Sequence, residues 1–358
     1  MVITPLPPKA LPVNAMTPLE IPGTPTWLIL SEDGRIHRWE SDSGACDLVG
    51  TTTLVAQLPS LHAADHERAS VRIHASPSGR FAAVVIDYGS EGVVIDLSTG
   101  QQVLELHGGT YCEEHVPFSI AFANHQGREI LIHRTDWNRL DATDLVTGEE
   151  LAARATPEPA SDAGVESPPH YLDYFHGALH ANPSGSRIAD DGWLWHPLGE
   201  VSVWSIEPWL ADNPFESEDG ASLVALCWRE YYWDHAMVWL DDHRIAVGGI
   251  GDRETNIVPG ARIFDLRRFP SGPHERSAAP EVFAFAGPGD RFFAADGLLY
   301  AVAESGLEVW DPDTGARLGS VPDFHPTLHH RTARELAARD ETSLIRWLIQ
   351  PFSEAGFA

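Results

Sequence analysis

Along most of the chain, short apolar runs alternate with tight clusters of turn-forming residues. Val71-Arg-Ile73-His and Phe81-Ala-Ala-Val-Val-Ile86 are such runs, and both read as strands. The helical period is scarce before residue 330. The pattern therefore predicts an all-β chain of many short strands.

Two phrases repeat between these strands. The first is a β-rich run, an acid and a turn closed by Gly: Arg38-Trp39-Glu40 to Gly44, Val94-Ile95-Asp96 to Gly100, Ala142-Thr143-Asp144 to Gly148, and Val309-Trp310-Asp311 to Gly315. Looser copies are Val203-Trp204-Ser205 and Ile263-Phe264-Asp265. Successive copies lie 46–61 residues apart. The second phrase precedes the first and is a tight turn, as in Ala75-Ser-Pro-Ser-Gly79, Ala123-Asn-His-Gln-Gly127 and Ala181-Asn-Pro-Ser-Gly185, shortened to Leu240-Asp-Asp-His-Arg244. In such turns Pro presets φ and Gly supplies a positive φ. Four short strands per repeat of about 45–60 residues is the periodicity of propeller blades, and it replaces the two domains that length alone would suggest.

The Ser-Pro-Ser-Gly turn at 76–79, the Pro-Ser-Gly turn at 183–185 and the Trp310-Asp311 dipeptide with its Thr-Gly turn resemble the WD40 β-propeller superfamily across residues 26–321. The resemblance implies a ring of four-stranded blades and is nearly silent on function. It is a divergent one: only the Trp-Asp at 310–311 stands in the acid–Gly phrase, the Gly-His that opens each repeat is missing, and the family's Asp-His-Ser/Thr-Trp hydrogen-bond set does not carry over.

Six blades fit best, at 15–56, 57–106, 107–156, 157–228, 229–287 and 288–322, with five and seven remaining open. The first inner strand is either Leu19-Glu-Ile21 or part of a ring closed by mixing strands from the two termini. The chain then divides into an extended, proline-rich arm (1–14), the propeller (15–322) and a helical cap (323–358). Thr332-Ala-Arg-Glu335 reads as a capping box for a short helix through Ala338, and Ser343-Leu-Ile-Arg-Trp-Leu-Ile349 as a second helical segment stopped by Pro351.

Charge narrows the function. With 24 Lys+Arg against 52 Asp+Glu the net charge is −28, and Lys9 is the only lysine. Nucleic acid and anionic membranes need clustered cations, so neither is expected as a partner; a basic protein is. Cys46, Cys112 and Cys227 are odd in number and widely spaced, which suggests buried thiols rather than disulfides or a thiolate zinc site. With no apolar leader and no long apolar run, the expected location is the cytoplasm.

Motifs for a nucleophile elbow, a phosphate-binding loop and a zinc-protease helix are missing, and no cofactor is expected. Gly249-Ile-Gly251 runs into Asp252-Arg253-Glu254 and reads as a turn, and Asp311-Pro-Asp313 lacks the later ligands of a calcium loop. Acid–His neighbours gather where inner strands begin: Asp65-His66, Glu113-Glu114-His115, Asp173 with His176, and Asp234-His235. His325, His329 and His330 read as solvated loop residues. The run Trp228-Arg229-Glu-Tyr231-Tyr232-Trp233-Asp234 combines large rings with charge, the composition of interface hot spots. Half of such rings would instead face a core.

Connections at 57–68, 107–117, 156–173 and 229–234 are long and would share one face, where a rigid scaffold presents its binding loops; opposite-face insertions fall at 211–220 and 268–280. The leading expectation is a non-enzymatic protein-binding propeller that uses Trp228, Arg229, Tyr231, Tyr232, Trp233, Asp234, Glu113 and Glu114. One concrete version is an immunity protein that blocks the cationic cleft of a toxin. The alternative is a metal-dependent propeller hydrolase or lactonase with Glu114, His115, Asp173, His176, Asp234 and His235 as ligands at the channel mouth.

Overall fold

The apolar run Phe81–Asp87 shows how the chain is built. All of it is buried, but it faces two ways. Ala82, Val84 and Ile86 pack with Leu28, Leu30 and Ile36 of the blade before, whereas Phe81, Ala83 and Val85 pack with Phe118, Ile120 and Leu131 of the blade after. A strand whose side chains alternate between two apolar neighbours has no polar face, so its sequence shows no alternation.

The computed structural model describes residues 1–63, 67–155, 169–251, 256–268 and 281–350. It holds seven four-stranded antiparallel sheets, and the apolar clusters join each blade to the next all the way round, the seventh to the first included. Six blades are sequential, at 13–51, 70–107, 120–151, 175–230, 237–286 and 291–322. Each corresponds to one of the six windows read from the repeat, with Val13–Leu19 as the first inner strand. Among the described residues no helix is long and apolar enough to cross a membrane.

The seventh blade corrects the six-blade count and the tail. Leu328–His330, Glu335–Arg339 and Ser343–Leu348 are strands, not helices, and Val2–Pro5 pairs with the last of them as the outer strand, Val2 opposite Arg346 and Pro5 opposite Ser343. The N-terminal segment is thus part of the ring, which closes with strands from both ends of the chain. The expected capping box fails for a tertiary reason. The backbone N–H groups of Arg331 and Thr332 donate to the Glu20 carboxylate of blade one at 2.7 Å each, and Arg334 turns the chain at φ +57°. Leu336 then faces the cluster shared with blade six and Ala337 the cluster shared with blade one. Arg346 fastens the closure from within, donating to Ser41 Oγ at 2.9 Å and pairing with Asp42 at 2.8 Å. The expected stop at Pro351 lies outside the described residues.

The repeated acid–Gly phrase is the turn between third and outer strands. The N–H of Gly44, Gly100, Gly148 and Gly315 donates to the carbonyl four residues earlier at 2.7–2.9 Å. The Asp side chains also accept locally, Asp96 from Ser98 N, Asp144 from Val146 N and Asp311 from Asp313 N, each at 2.9 Å. Those acids are committed to turn geometry, which removes them from any account of partner recognition.

Candidate protein-interaction surface

Neighbouring strands run antiparallel, so the segments entering the inner strands share one face, here the upper, with the turns between second and third strands. In blades three, four and five the pairing of second with third strand slips at its upper end, between Arg134 and Asp136, Trp193 and Trp195, and Gly248 and Ile250. The same pairing is unbroken in blades one, two, six and seven. An added residue in one strand re-aims the side chains beside it. Trp195 follows such a slip at φ +132°, a conformation that a bulky residue adopts only when its surroundings hold it. Its indole Nε1 donates to Asp173 Oδ1 at 2.7 Å. In blade three, Asp136 Oδ1 accepts the Trp137 backbone N–H at 2.8 Å.

These bulges set rings beside one another across the upper surface. Tyr111 lies 5.6 Å from Trp137 and 5.9 Å from Phe175, and Phe175 lies 4.5 Å from Trp193 and 5.0 Å from Trp195. His115 stacks on Trp193 at 4.5 Å with 7° between planes. Trp233 stacks on the same indole at 5.9 Å, and His196 links Trp233 at 5.6 Å to Tyr231 at 5.9 Å. Phe175 and Trp193 are buried, yet Tyr111 is 53% exposed, Trp195 40% and Tyr231 66%. The result is a continuous aromatic surface with a packed base and a solvent-facing top. Glu114, Asp136 and Asp173 stand at or near its margin.

Of the residues singled out from the sequence, Tyr231 and Trp233 join this surface, and the Trp233 indole donates to the His115 carbonyl at 3.0 Å, beside Glu113 and Glu114. Glu113 lies close enough to the buried Arg134 to favour its cationic form, while burial pulls that guanidinium down to about 10. Tyr232 turns inward and stacks on His235 at 3.4 Å. Trp228 sits on the outer strand Val224–Glu230, where its indole donates to Glu200, so it lies on the blade's rim. Arg229 corrects the expected contact list: it is fully buried, ion-paired with Asp191 and donating to the Gly248 carbonyl at 3.0 Å. Asp191 also accepts the His235 backbone N–H at 3.0 Å, so the pair supports the 231–235 loop from beneath.

Asp234 is likewise engaged. It accepts from the Tyr88 hydroxyl of blade two and pairs with Arg68 at 3.5 Å, and Arg68 lies 3.9 Å over the Tyr88 ring. Blades two and five stand on opposite sides of the ring, so this contact spans the channel mouth. Burial pushes the Asp234 carboxyl up, and burial with the Asp234 charge pushes the Tyr88 phenol up.

The six residues considered as metal ligands are not brought together. His176 Nδ1 is 2.6 Å from the buried Asp190 carboxylate, Asp173 holds Trp195, Asp234 holds Tyr88, and His235 stacks on Tyr232. Among the described residues no three His, Cys, Asp or Glu side chains gather so as to hold a metal ion. Asp65-His66, nearly all of 156–169, the segment 252–254 and most of 268–280 lie outside the described residues.

Sequence reading missed Tyr111, Trp137, Trp193, Trp195 and His196. Their signal was available as Trp193-Leu-Trp195-His196 where a turn was due, two large rings with no hydrophobic period to explain the second. His329 and His330 were also misplaced. His330 is buried and accepts the Thr26 backbone N–H at Nε2 (3.2 Å), and His329 is half-buried beside the channel.

No family model and no curated protein matches the chain. Solved structures do. A chain in a crystal structure of the mitotic checkpoint complex is 11% identical, with a TM-score of 0.54 over 98% of this chain and 91% of that one. The Cps50 (Swd1) β-propeller domain of Myceliophteria thermophila is also 11% identical, with a TM-score of 0.53 over 91% of this chain and 93% of that one. At that identity the likeness speaks for fold alone. Taken with the seven blades, it shows that the chain has a β-propeller fold.

Proposed function

We propose that this chain is a protein-binding propeller whose partner docks on the aromatic upper surface of blades three to five. The observation that carries the reading is the exposure of Tyr111, Trp195 and Tyr231 above a packed aromatic base. Rigid rings offer large contact area with few rotatable bonds to freeze, and they dominate protein interfaces for that reason. The partner is a basic protein. Carboxylates at the margin would meet its arginines and lysines, whose cations also lie well over aromatic faces. The net charge of −28 would accelerate encounter with it and make the association salt-sensitive. One concrete version is an immunity protein in the cytoplasm that covers the cationic cleft of a toxin.

Affinity capture with the intact chain, followed by titration of the captured partner, tests the reading. Trp195→Ala combined with Tyr231→Ala should weaken the complex by at least about 30-fold, on the scale of a hot-spot loss. Raising salt from low to physiological strength should weaken it further. Full affinity in the double variant, at unchanged thermal stability, would sink the proposal.

A further inference from the structure

The lower end of the channel is chemically unlike the rest of the molecule. A cavity of about 540 Å³ opens there, lined by the inner-strand ends and turns of blades one to five and seven. That volume falls in the range of pockets that hold small molecules. Three imidazoles line it, from three different blades: His74 of Ser70–Ala75, His180 of Phe175–Ala181 and His329 of Leu328–His330. None of these rings hydrogen-bonds another described residue, and His74 Nε2 is buried without a partner. A buried polar atom with nothing to bond is costly, and a ligand is one way to satisfy it.

Arg331 also lines the cavity, and its guanidinium has no carboxylate partner among the described residues of this acidic chain. Glu20 is the one acid in the lining, and its carboxylate is already occupied. It accepts the N–H groups of Arg331 and Thr332, and His330 Nδ1 stands 3.2 Å away. His330 itself is held from both sides, with Nε2 accepting the Thr26 backbone N–H at 3.2 Å and Nδ1 facing the Ala333 backbone N–H at 3.3 Å. The void therefore presents one uncompensated cation and three imidazoles able to donate. The imidazoles do not converge to metal-binding distance, so they surround a molecule-sized space instead of an ion.

We propose that this cavity binds a small polyanion, a molecule bearing two or more carboxylate or phosphate groups. Arg331 engages one anionic group, and the N–H groups of His74, His180 and His329 serve the others. A guanidinium fork suits a planar carboxylate or a phosphate, and neutral imidazoles add donors without a fixed charge. The site lies on the face opposite the aromatic surface, so the two can be tested apart.

Calorimetric titration of the intact chain with citrate and with inorganic phosphate, at pH 7 and physiological salt, decides the matter. Citrate should bind saturably at one site per chain and more tightly than inorganic phosphate. Arg331→Gln should weaken it by at least tenfold and His180→Gln by several-fold, while Arg35→Gln, exposed at the start of the third strand of blade one, should leave it unchanged. Imidazole C–H resonances should shift with citrate in the wild type and stay fixed in Arg331→Gln. No saturable binding of citrate, or equal affinity in wild type and Arg331→Gln, would overturn the proposal. Inorganic phosphate binding as tightly as citrate would also overturn it, since one anionic group would then suffice.

Discussion

Blade two and blade four are built from the same repeat and differ in where the repeat is broken. In blade two one slip occurs, between third and outer strands at Val94 and Ile95, and the same slip recurs in blades one, four, five and six. It belongs to the repeat. Blade four adds two of its own, between Phe175 and Ala178 and between Trp193 and Trp195, and inserts two short helices, Ile206–Ala211 and Glu216–Asp219, before its outer strand. The additional slips lie beside the rings that face solvent. Regular blades hold the ring together, and irregular ones aim side chains out of it. Substitutions in the two kinds of blade should therefore separate stability from binding.

The largest effect should come from a residue that belongs to both. Arg229→Ala would leave the Asp191 carboxylate buried without its cation, which costs about 3–5 kcal/mol. It should also loosen the 231–235 loop and lower partner affinity. Ile95→Ala, fully buried in the blade-two cluster, should cost about 2–5 kcal/mol and leave affinity untouched. Urea unfolding midpoints together with partner titrations check both. Equal losses of affinity from the two variants would erase the distinction between blades.

Acid sensitivity tests the lower end, where regular inner strands meet. Burial pulls the imidazoles of His180 and His329 down to about 4, assisted by the positive charge of Arg331 on both and of Arg72 on His180; Asp191 opposes it at His180 and Glu20 at His329. Both rings are neutral in either state above the ordinary imidazole value of about 6.5. Below it the unfolded chain takes up protons that the folded chain refuses, so stability falls as pH drops from about 6.5 toward 4. His180→Gln with His329→Gln should flatten that decline. An unaltered pH profile would show that these imidazoles are protonated as readily in the ring as outside it.

Trp195→Ala should be milder for the fold and specific for the surface. The indole is 40% exposed, makes one hydrogen bond, to Asp173, and touches the packed base only through Phe175 and Trp193, so stability should change by about 1 kcal/mol, while affinity should fall by about 2 kcal/mol. A thermal-stability loss as large as the binding loss would mark Trp195 as a core residue.

The repeat made the fold readable wherever the interactions were local. Asp96 with Gly100 and Asp311 with Gly315 bond within their own turns, so their spacing survives in the sequence. The seventh blade was hidden because its determinants are distant. Val2–Pro5 pairs with residues more than three hundred positions away, and Glu20 takes the Thr332 N–H that Glu335 would have used in a capping box. Glu335-Leu-Ala-Ala-Arg339 is helix-prone, yet packing on both faces decides its conformation. On the upper surface the loop at 228–234 was found by composition. Whether each ring turned outward or inward, Tyr231 against Tyr232, depended on contacts with Trp193, His196 and His235 that no local pattern encodes.

The smallest expected effect isolates what a repeated turn contributes by itself. Gly44 and Gly79 have nearly the same backbone, φ +74° and +73°, and both close turns on the lower face. A Cβ built on Gly44 would meet nothing within 4 Å, whereas one on Gly79 would lie 2.6 Å from Ile21 Cγ2. Gly44→Ala should therefore cost only the strain of a left-handed residue, about 1 kcal/mol, and Gly79→Ala that strain plus displacement of Ile21. If thermal unfolding shows equal losses, backbone strain sets the cost at both turns. A larger loss at Gly79 would show that turns alike in conformation are set apart by the neighbour each packs against.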